Sequence, residues 1–260
     1  MKNLNLLKVS FNGATEHNSI DEVVRFLKNN PLAEVGIDFT DLKGIFGTPR
    51  YFFIKGLTQR LDKSNVQSGF YINISNDWFN EIIRDGKLPE ELHYFSQISP
   101  QKVKMHINLI NQNHNIDDPS MTKFCNLAER YSKKIRFVVR CNRQSLGYII
   151  MMATATKNFD VMFEYNNKPQ EPKQCALIMS GNIIKMCEGG FNLQNIGTQL
   201  DKINQSQKSR INLFLSAENE FYDRASRKLN LNNAELLINK IKQWELHQNS
   251  SRDCEIVKSV

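Results

Sequence analysis

A glycine pair, Gly189 and Gly190, separates a short apolar run from a stretch with helical periodicity in residues 183–203. The apolar run predicts a buried strand, and the apolar residues after the glycines recur at helical spacing. Glycines in a strand-to-helix turn let the backbone approach a ligand closely, and the N–H groups that begin a helix favour an anion. The pattern therefore predicts a phosphate-binding turn. A tight turn without a ligand is the alternative.

Polar residues at alternate positions of the predicted strands form a second candidate group. Strand alternation places Ser10, Asp38, His106 and Glu164 on the inward faces of four strands, so all four can meet at one mouth. Carboxyl and imidazole groups are the usual proton carriers near neutral pH. This group therefore predicts acid–base chemistry, with Asp38 or His106 as a candidate base.

Each of these residues also has a simpler interpretation. His106 can be a hydrogen-bonded interior histidine, and Asp38 can form an ion pair with Lys8 or Lys104. Arg50 can clamp a substrate carboxylate, whereas a loop arginine is more often solvated. The remaining histidines have no metal-ligand spacing around them, so no metal and no cofactor are expected.

The elements that would position these residues follow a repeating order of apolar strand, loop and amphipathic helix. About eight such units predict a single (β/α)8 TIM barrel, whose active site would lie at the carboxyl ends of the strands. Strands are predicted at residues 6–11, 35–39, 70–74, 103–110, 135–139, 161–165, 183–187 and 212–216.

Several boundaries can be read from local signals. Ser19 and Glu22 form a capping-box pattern at the start of the first helix. Pro49, Arg50 and Tyr51 are placed in a loop after the second strand, and residues 84–101 are the main irregularity. The predicted barrel spans residues 1–246, followed by a frayed polar tail at residues 247–260.

The composition is that of an ordinary soluble globular protein. Of 260 residues, 40% are hydrophobic and 23% are charged, and no apolar run reaches membrane-spanning length. The start of the chain does not fit a signal peptide, so a cytoplasmic location without membrane association is expected. The five scattered cysteines favour free thiols over disulfides or a metal site.

The net charge of +7 suits an anionic partner. Lys and Arg are spread along the whole chain, and no basic run or nucleic-acid motif is present. The expected partner is therefore a phosphorylated small molecule, and nucleic acid is not expected. The oligomeric state is left open.

Four stretches resemble the phosphoribosylanthranilate isomerase family, which consists of tryptophan-biosynthesis barrels. They are LKVSF, VGIDF with TPRY, VKMHI and EGGFNLQNI, and the resemblance runs from about Lys8 to Ile241. The last stretch is the most specific, because both glycines and both asparagines coincide with the family pattern.

The resemblance implies an Amadori rearrangement, an aldose-to-ketose isomerisation of a phosphoribosylamine. Position by position, the family's acid falls on Glu164 and its cysteine falls on Ser10. The family's loop arginine is kept as Arg50, and the aspartate that opens its last strand becomes Asn212, so the resemblance implies that both bind substrate. Phosphate would be held by Gly189 and Gly190 and by the end of strand eight, where Ser216 stands.

The chain departs from the family at important positions. A serine hydroxyl is a poor base beside a thiol, so Ser10 needs a substitute base. The glycine-rich loop after strand six is replaced by NNKPQEPK. Two functions follow: an isomerase with Glu164 as acid, or a repurposed or inactive barrel that binds a phosphorylated ligand or regulates another protein.

Overall fold

Eight parallel strands close into a barrel in the computed structural model, which describes residues 4–37, 44–64, 70–73, 78, 80–98, 103–107, 117–141, 145–164, 185–188, 191–206, 211–217 and 219–257. Strand β1 pairs with β2 on one side and with β8 on the other. The (β/α)8 barrel predicted from the sequence is confirmed. The strands are β1 Leu4–Ala14, β2 Ala33–Ile37, β3 Phe70–Asn73, β4 Val103–Ile107, β5 Ile135–Cys141, β6 Phe159–Glu164, β7 Lys185–Glu188 and β8 Ile211–Ala217.

Helices surround the barrel and cover its outer face. They are α1 Ile20–Asn29, α2 Pro49–Lys63, α3 Glu90–Ile98, α4 Asp118–Arg130, α5 Leu146–Ala155, α6 Ile196–Ser206 and α7 Leu231–Val257, with a π-helical turn at Asn80–Arg84. The Ser19 side chain accepts a hydrogen bond from the Glu22 N–H, as the capping signal predicts. Within the described ranges, no helix combines the length and apolar character that a membrane span requires.

Two sequence-based boundaries were wrong. Helix α2 begins at Pro49, behind the N-cap residue Thr48, so Arg50 and Tyr51 lie in its first turn and not in a loop. Proline suits that first turn because the N–H it lacks would have no partner in the helix. The frayed start of the tail is also corrected, since α7 continues as a helix to Val257, while the barrel boundary at residue 246 stays a prediction.

The main apolar core lies between the barrel and its helices. Phe11 of β1 meets Phe26 of α1 with ring centroids 5.9 Å apart, and Phe137 of β5 meets Phe124 of α4 at 5.1 Å. Because successive strand residues face opposite sides, Ser10 and Arg136 face the barrel interior. The interior is therefore polar at several positions.

The amino end of the interior contains an ion pair. Arg136 Nη2 lies 2.7 Å from Asp160 Oδ1, and Asp160 is only 2% exposed. A second guanidinium nitrogen of Arg136 donates to the Lys157 carbonyl oxygen. These contacts join the first residues of β5 and β6, so the pair fills the barrel floor.

A short hairpin after β8 was not predicted. It consists of β9 Tyr222–Asp223 and β10 Lys228–Leu229, which pair antiparallel behind a 3-10 turn at Asn219–Phe221. Gly13 has a φ of 105°, and a Cβ there would lie 2.7 Å from the Tyr222 ring. Glycine therefore lets the hairpin pack directly on the end of β1.

Candidate functional site

Three polar side chains meet inside the barrel where β1 and β8 run side by side. Ser10 and Ser216 are paired in register, and both are fully buried. Asn12 Nδ2 donates to Ser216 Oγ at 3.2 Å, and Ser10 Oγ donates to Asn12 Oδ1 at 3.4 Å. The structure thus brings Ser10 and Ser216 together through Asn12, which lies nearer the carboxyl end.

Gly36 makes room for this arrangement from the neighbouring strand. It is paired in register with Asn12. A Cβ at position 36 would collide with Asn12 Oδ1 and would lie 2.9 Å from Asn12 Cγ. The asparagine can therefore occupy the barrel mouth only because strand β2 carries no side chain there.

One hydrogen-bonded row of positions connects these serines with two glutamates. Ser10 pairs with Ser216, Ser216 with Glu188, and Glu188 with Glu164. Residues paired across parallel strands share a face of the sheet and lie about 4.8 Å apart. Because barrel strands are tilted, the row rises toward the carboxyl end from β1 to β6. Glu164 and Glu188 are the last residues of their strands.

Glu188 is the functional candidate that sequence reasoning missed. It directly precedes the glycine pair and lies beside Glu164 in the sheet register. The available signal was its position at the end of a strand, where barrel active sites lie. The register between β6 and β7 is needed to show that two carboxyl-bearing residues are neighbours.

The remaining proton-transfer candidates are only partly placed. His106 belongs to β4 and pairs with Asn73 and Val138, which puts it in the same row as Asp160 of β6. Asp38, Gly189 and Gly190 lie outside the described residues. The predicted meeting of Asp38 and His106 with Ser10 therefore stays a prediction.

The backbone N–H groups that follow the glycine pair already donate hydrogen bonds to side chains of the same chain. Asn192 Oδ1 accepts from the N–H groups of Gln194 and Asn195 at 2.9 and 2.8 Å. The Asn192 N–H donates to Asn195 Oδ1, and the Leu193 N–H donates to Glu220 Oε2 at 3.1 Å. The expectation that the amides beginning this helix are free to grip a phosphate is therefore wrong for residues 192–195.

Arg50 is held by an acidic neighbour. Its Nε donates to Glu16 Oε2, and each side chain is 27% exposed. Partial burial raises the pKa of the Glu16 carboxyl, but the hydrogen bond and charge of Arg50 outweigh it and hold that pKa below its ordinary value of 4.5. A substrate carboxylate at Arg50 would therefore compete with Glu16.

Asn212 lies at the opposite end of the barrel. It is the second residue of β8, and its Oδ1 accepts from Asn5 Nδ2 at 2.8 Å. Four residues along a strand separate it from Ser216 by about 13 Å. The structure therefore does not bring Asn212 to the carboxyl-end group, contrary to the expectation from the family resemblance.

The described thiols do not replace the family cysteine. Burial, followed by the nearby charge of Glu129, raises the pKa of the Cys125 thiol, which packs in the outer core on α4. Cys141 is also buried and belongs to the same apolar core. Neither sulfur lies on the inner row with Ser10.

Comparisons with known proteins agree with the fold. No family model matches the chain, and no curated protein sequence matches it. A solved protein of Aquifex aeolicus VF5 aligns over 91% of this chain and 92% of its own, with 10% identity and a TM-score of 0.57. Phosphoribosyl anthranilate isomerase from Thermotoga maritima aligns over 91% and 99%, with 11% identity and a TM-score of 0.50. These likenesses show the (β/α)8 barrel fold.

A third solved structure is KGPDC from Streptococcus mutans in complex with ribose 5-phosphate. It covers 91% of this chain and 98% of its own, with 8% identity and a TM-score of 0.49.

Proposed function

We propose that the chain binds a phosphorylated, sugar-like molecule at the carboxyl end of the barrel and isomerises it by acid–base catalysis. The observation that supports this most is the register pairing of Glu164 with Glu188 at the strand ends. Where two carboxyl groups share a site, repulsion between like charges favours a state in which only one is ionised. Such a pair offers one proton donor and one proton acceptor.

The proposed roles replace the acid and the cysteine of the family that the sequence resembles. Glu164 donates its proton to the ring oxygen as the ring carbon–oxygen bond breaks. Glu188 accepts the proton from the neighbouring carbon, and the resulting enol-type intermediate becomes the ketose. No net oxidation occurs, and the two protons balance. The side chains of Ser10, Asn12 and Ser216 form a polar layer inside the barrel, directly below the reacting atoms.

The phosphate is assigned to the segment that holds Gly189 and Gly190. The neighbouring N–H groups of residues 192–195 already donate to the side chains of Asn192, Asn195 and Glu220. Fewer backbone N–H groups are therefore available to a phosphate than the sequence suggested. The second candidate function, a barrel that binds a phosphorylated ligand without turnover, is favoured by Ser10 at the position of the family cysteine, because a hydroxyl is a poor base.

Substitution of the paired carboxyls tests the proposal. With phosphoribosylanthranilate as substrate, loss of its fluorescence reports turnover. We expect Glu164→Gln and Glu188→Gln each to lower kcat by about 10²–10⁴-fold, because general acid–base groups contribute that much. Glu235→Gln, which changes an exposed carboxyl on α7, is the matched control and should retain activity.

The outcomes separate the two functions. Turnover that survives Glu188→Gln but not an Asp38→Asn or His106→Gln change would move the base to one of those residues. No turnover by the unaltered chain at high enzyme concentration, with thermal stabilisation by ribose 5-phosphate, would select the binding function. A ligand at 100 times its Kd should stabilise the fold by about 2.7 kcal/mol.

A further inference from the structure

The turns that lead into the strands carry cations, most of them exposed. Lys133 and Lys134 lie in the turn between α4 and β5, and Lys157 lies in the turn between α5 and β6. Lys28 and Lys63 lie in the last turns of α1 and α2. Because all eight strands are parallel, these side chains gather at one end of the barrel, the amino end.

The acidic residues near that end offset only part of this charge. Glu34 and Asp160 are 5% and 2% exposed, and both lie on the inner face of the barrel. Glu129 is exposed, and its carboxylate accepts from the Thr156 hydroxyl and the Lys157 N–H, so it offsets one positive charge at these turns. Asp62 is also exposed and lies beside Lys63, so these two carboxylates leave most of the cations without a nearby opposite charge.

Helix ends explain some of these cations but not all. The carbonyl ends of helices attract positive side chains, which accounts for Lys28, Lys63 and Arg130 in last turns. Lys133 and Lys157 lie beyond the helix ends and are exposed. The two turns adjoin, because Asn158 Nδ2 donates to the carbonyl oxygens of Ala128 and Ile135 on either side of the first turn.

The sequence continues the same bias. Residues 99–102 precede β4 and residues 207–210 precede β8, and these segments contain Lys102, Lys208 and Arg210 without an acidic residue. The described connections at the opposite end contain both signs, the acidic residues Glu16, Asp117, Glu220 and Asp223 beside the exposed cations Lys87, Arg224, Arg227 and Lys228. The net charge of +7 is therefore distributed unevenly between the two ends of the barrel.

We propose that the amino end of the barrel binds the phosphate backbone of nucleic acid. Cations spread over an end face can neutralise successive phosphates and release their counterions. A membrane surface is less suited, because amphipathic membrane-binding segments also insert apolar side chains. The exposed large apolar residues among those described are Phe46, Phe52, Ile150, Met151, Leu236 and Leu246, and none lies in the turns before the strands.

Charge reversal at the two turns tests this surface. The binding of a fluorescent 30-nucleotide single-stranded RNA and of a duplex DNA is followed by anisotropy between 50 and 200 mM salt. We expect Lys133→Glu with Lys157→Glu to weaken binding at least tenfold. The slope of log affinity against log salt should fall by about 1.5, since each lost phosphate contact removes about 0.7–0.9.

The control reverses the same charge elsewhere. Lys87→Glu with Arg224→Glu changes two exposed cations in connections that follow β3 and β8, toward the carboxyl end. Binding should remain within about twofold of the unaltered chain.

Equal weakening by both double variants would overturn the proposal, because net charge alone would then explain binding. Absence of binding at 50 mM salt would overturn it too. So would preferential binding of vesicles containing phosphatidylserine over both oligonucleotides.

Discussion

Glu16 and Arg50 form an ion pair whose contribution to stability depends on pH. The pKa of Glu16 is held below 4.5 in the folded chain, so the pair stabilises the fold above that pH and is lost as the pH falls. We expect Glu16→Gln to lower the free energy of unfolding by about 0.2–1 kcal/mol at pH 7, as for partly exposed pairs. Urea denaturation should show that this difference shrinks below pH 4.5.

Glu235→Gln serves as the control for that measurement. Its difference from the unaltered chain should stay within about 0.5 kcal/mol, as for most surface substitutions. A Glu16→Gln difference that grew as the pH fell would contradict the assigned direction of the Glu16 pKa shift.

At the scale of elements, Asn18 joins the hairpin to the connection after β1. Asn18 Oδ1 accepts from the N–H groups of Thr15 and Leu229, and its Nδ2 donates to the Leu229 carbonyl oxygen at 3.0 Å. We expect Asn18→Ala to destabilise the fold by about 1–3 kcal/mol, because it leaves buried Leu229 groups without partners. Hydrogen exchange should speed up first at the Leu229 amide.

Asn232→Ala, at an exposed position of α7, is the control for Asn18→Ala and should leave the exchange unchanged. Uniformly faster exchange across the barrel strands would mean that Asn18 supports the whole fold and not the hairpin in particular.

The elements that the sequence predicted well are those with long apolar patterns. Helix α1 and strand β5 carry apolar residues at regular spacing, so their existence and the faces that pack in the outer core could be read directly. The hairpin could not be predicted in this way, since strands of two residues are too short to show an alternating apolar pattern. Its main polar anchor, Asn18, is distant from Leu229 in the chain.

The candidate site was harder to predict because it depends on register. Alternation identified Ser10 and Glu164 as inward positions, but it gives no order of neighbours around a barrel. Only the pairing of β6, β7 and β8 places Glu188 between Glu164 and Ser216. The hydrogen bonding of the N–H groups in residues 192–195 likewise depends on Glu220, which belongs to another connection.

At the scale of the whole molecule, the barrel sorts to its two ends charged residues that are mixed along the sequence. Lys and Arg appear throughout the chain, yet parallel strands send every helix-to-strand turn to one end and every strand-to-helix connection to the other. A sequence-wide charge count cannot show this, because it ignores direction. The two proposed functions would therefore use opposite ends of one fold.

The closing helix α7 determines how much of the chain the barrel needs. Trp244 is 7% exposed, and its Nε1 donates to Asp201 Oδ1 at 2.8 Å. Gln248 donates to the same oxygen at 3.1 Å. These contacts tie α7 to α6. We therefore expect the free energy of unfolding of a chain ending at residue 248 to differ by at most about 0.5 kcal/mol from that of the full chain.

A chain ending at residue 243 should lose about 3–5 kcal/mol, because removal of a buried tryptophan costs that much. Urea unfolding of both chains is the measurement, and Trp244→Phe in the full chain separates the hydrogen bond from the buried ring. If the chain ending at residue 248 lost as much stability as the shorter one, residues 249–257 would have to pack on the barrel. The barrel would then require the full length of α7, and its boundary would lie beyond the residue 246 expected from the sequence.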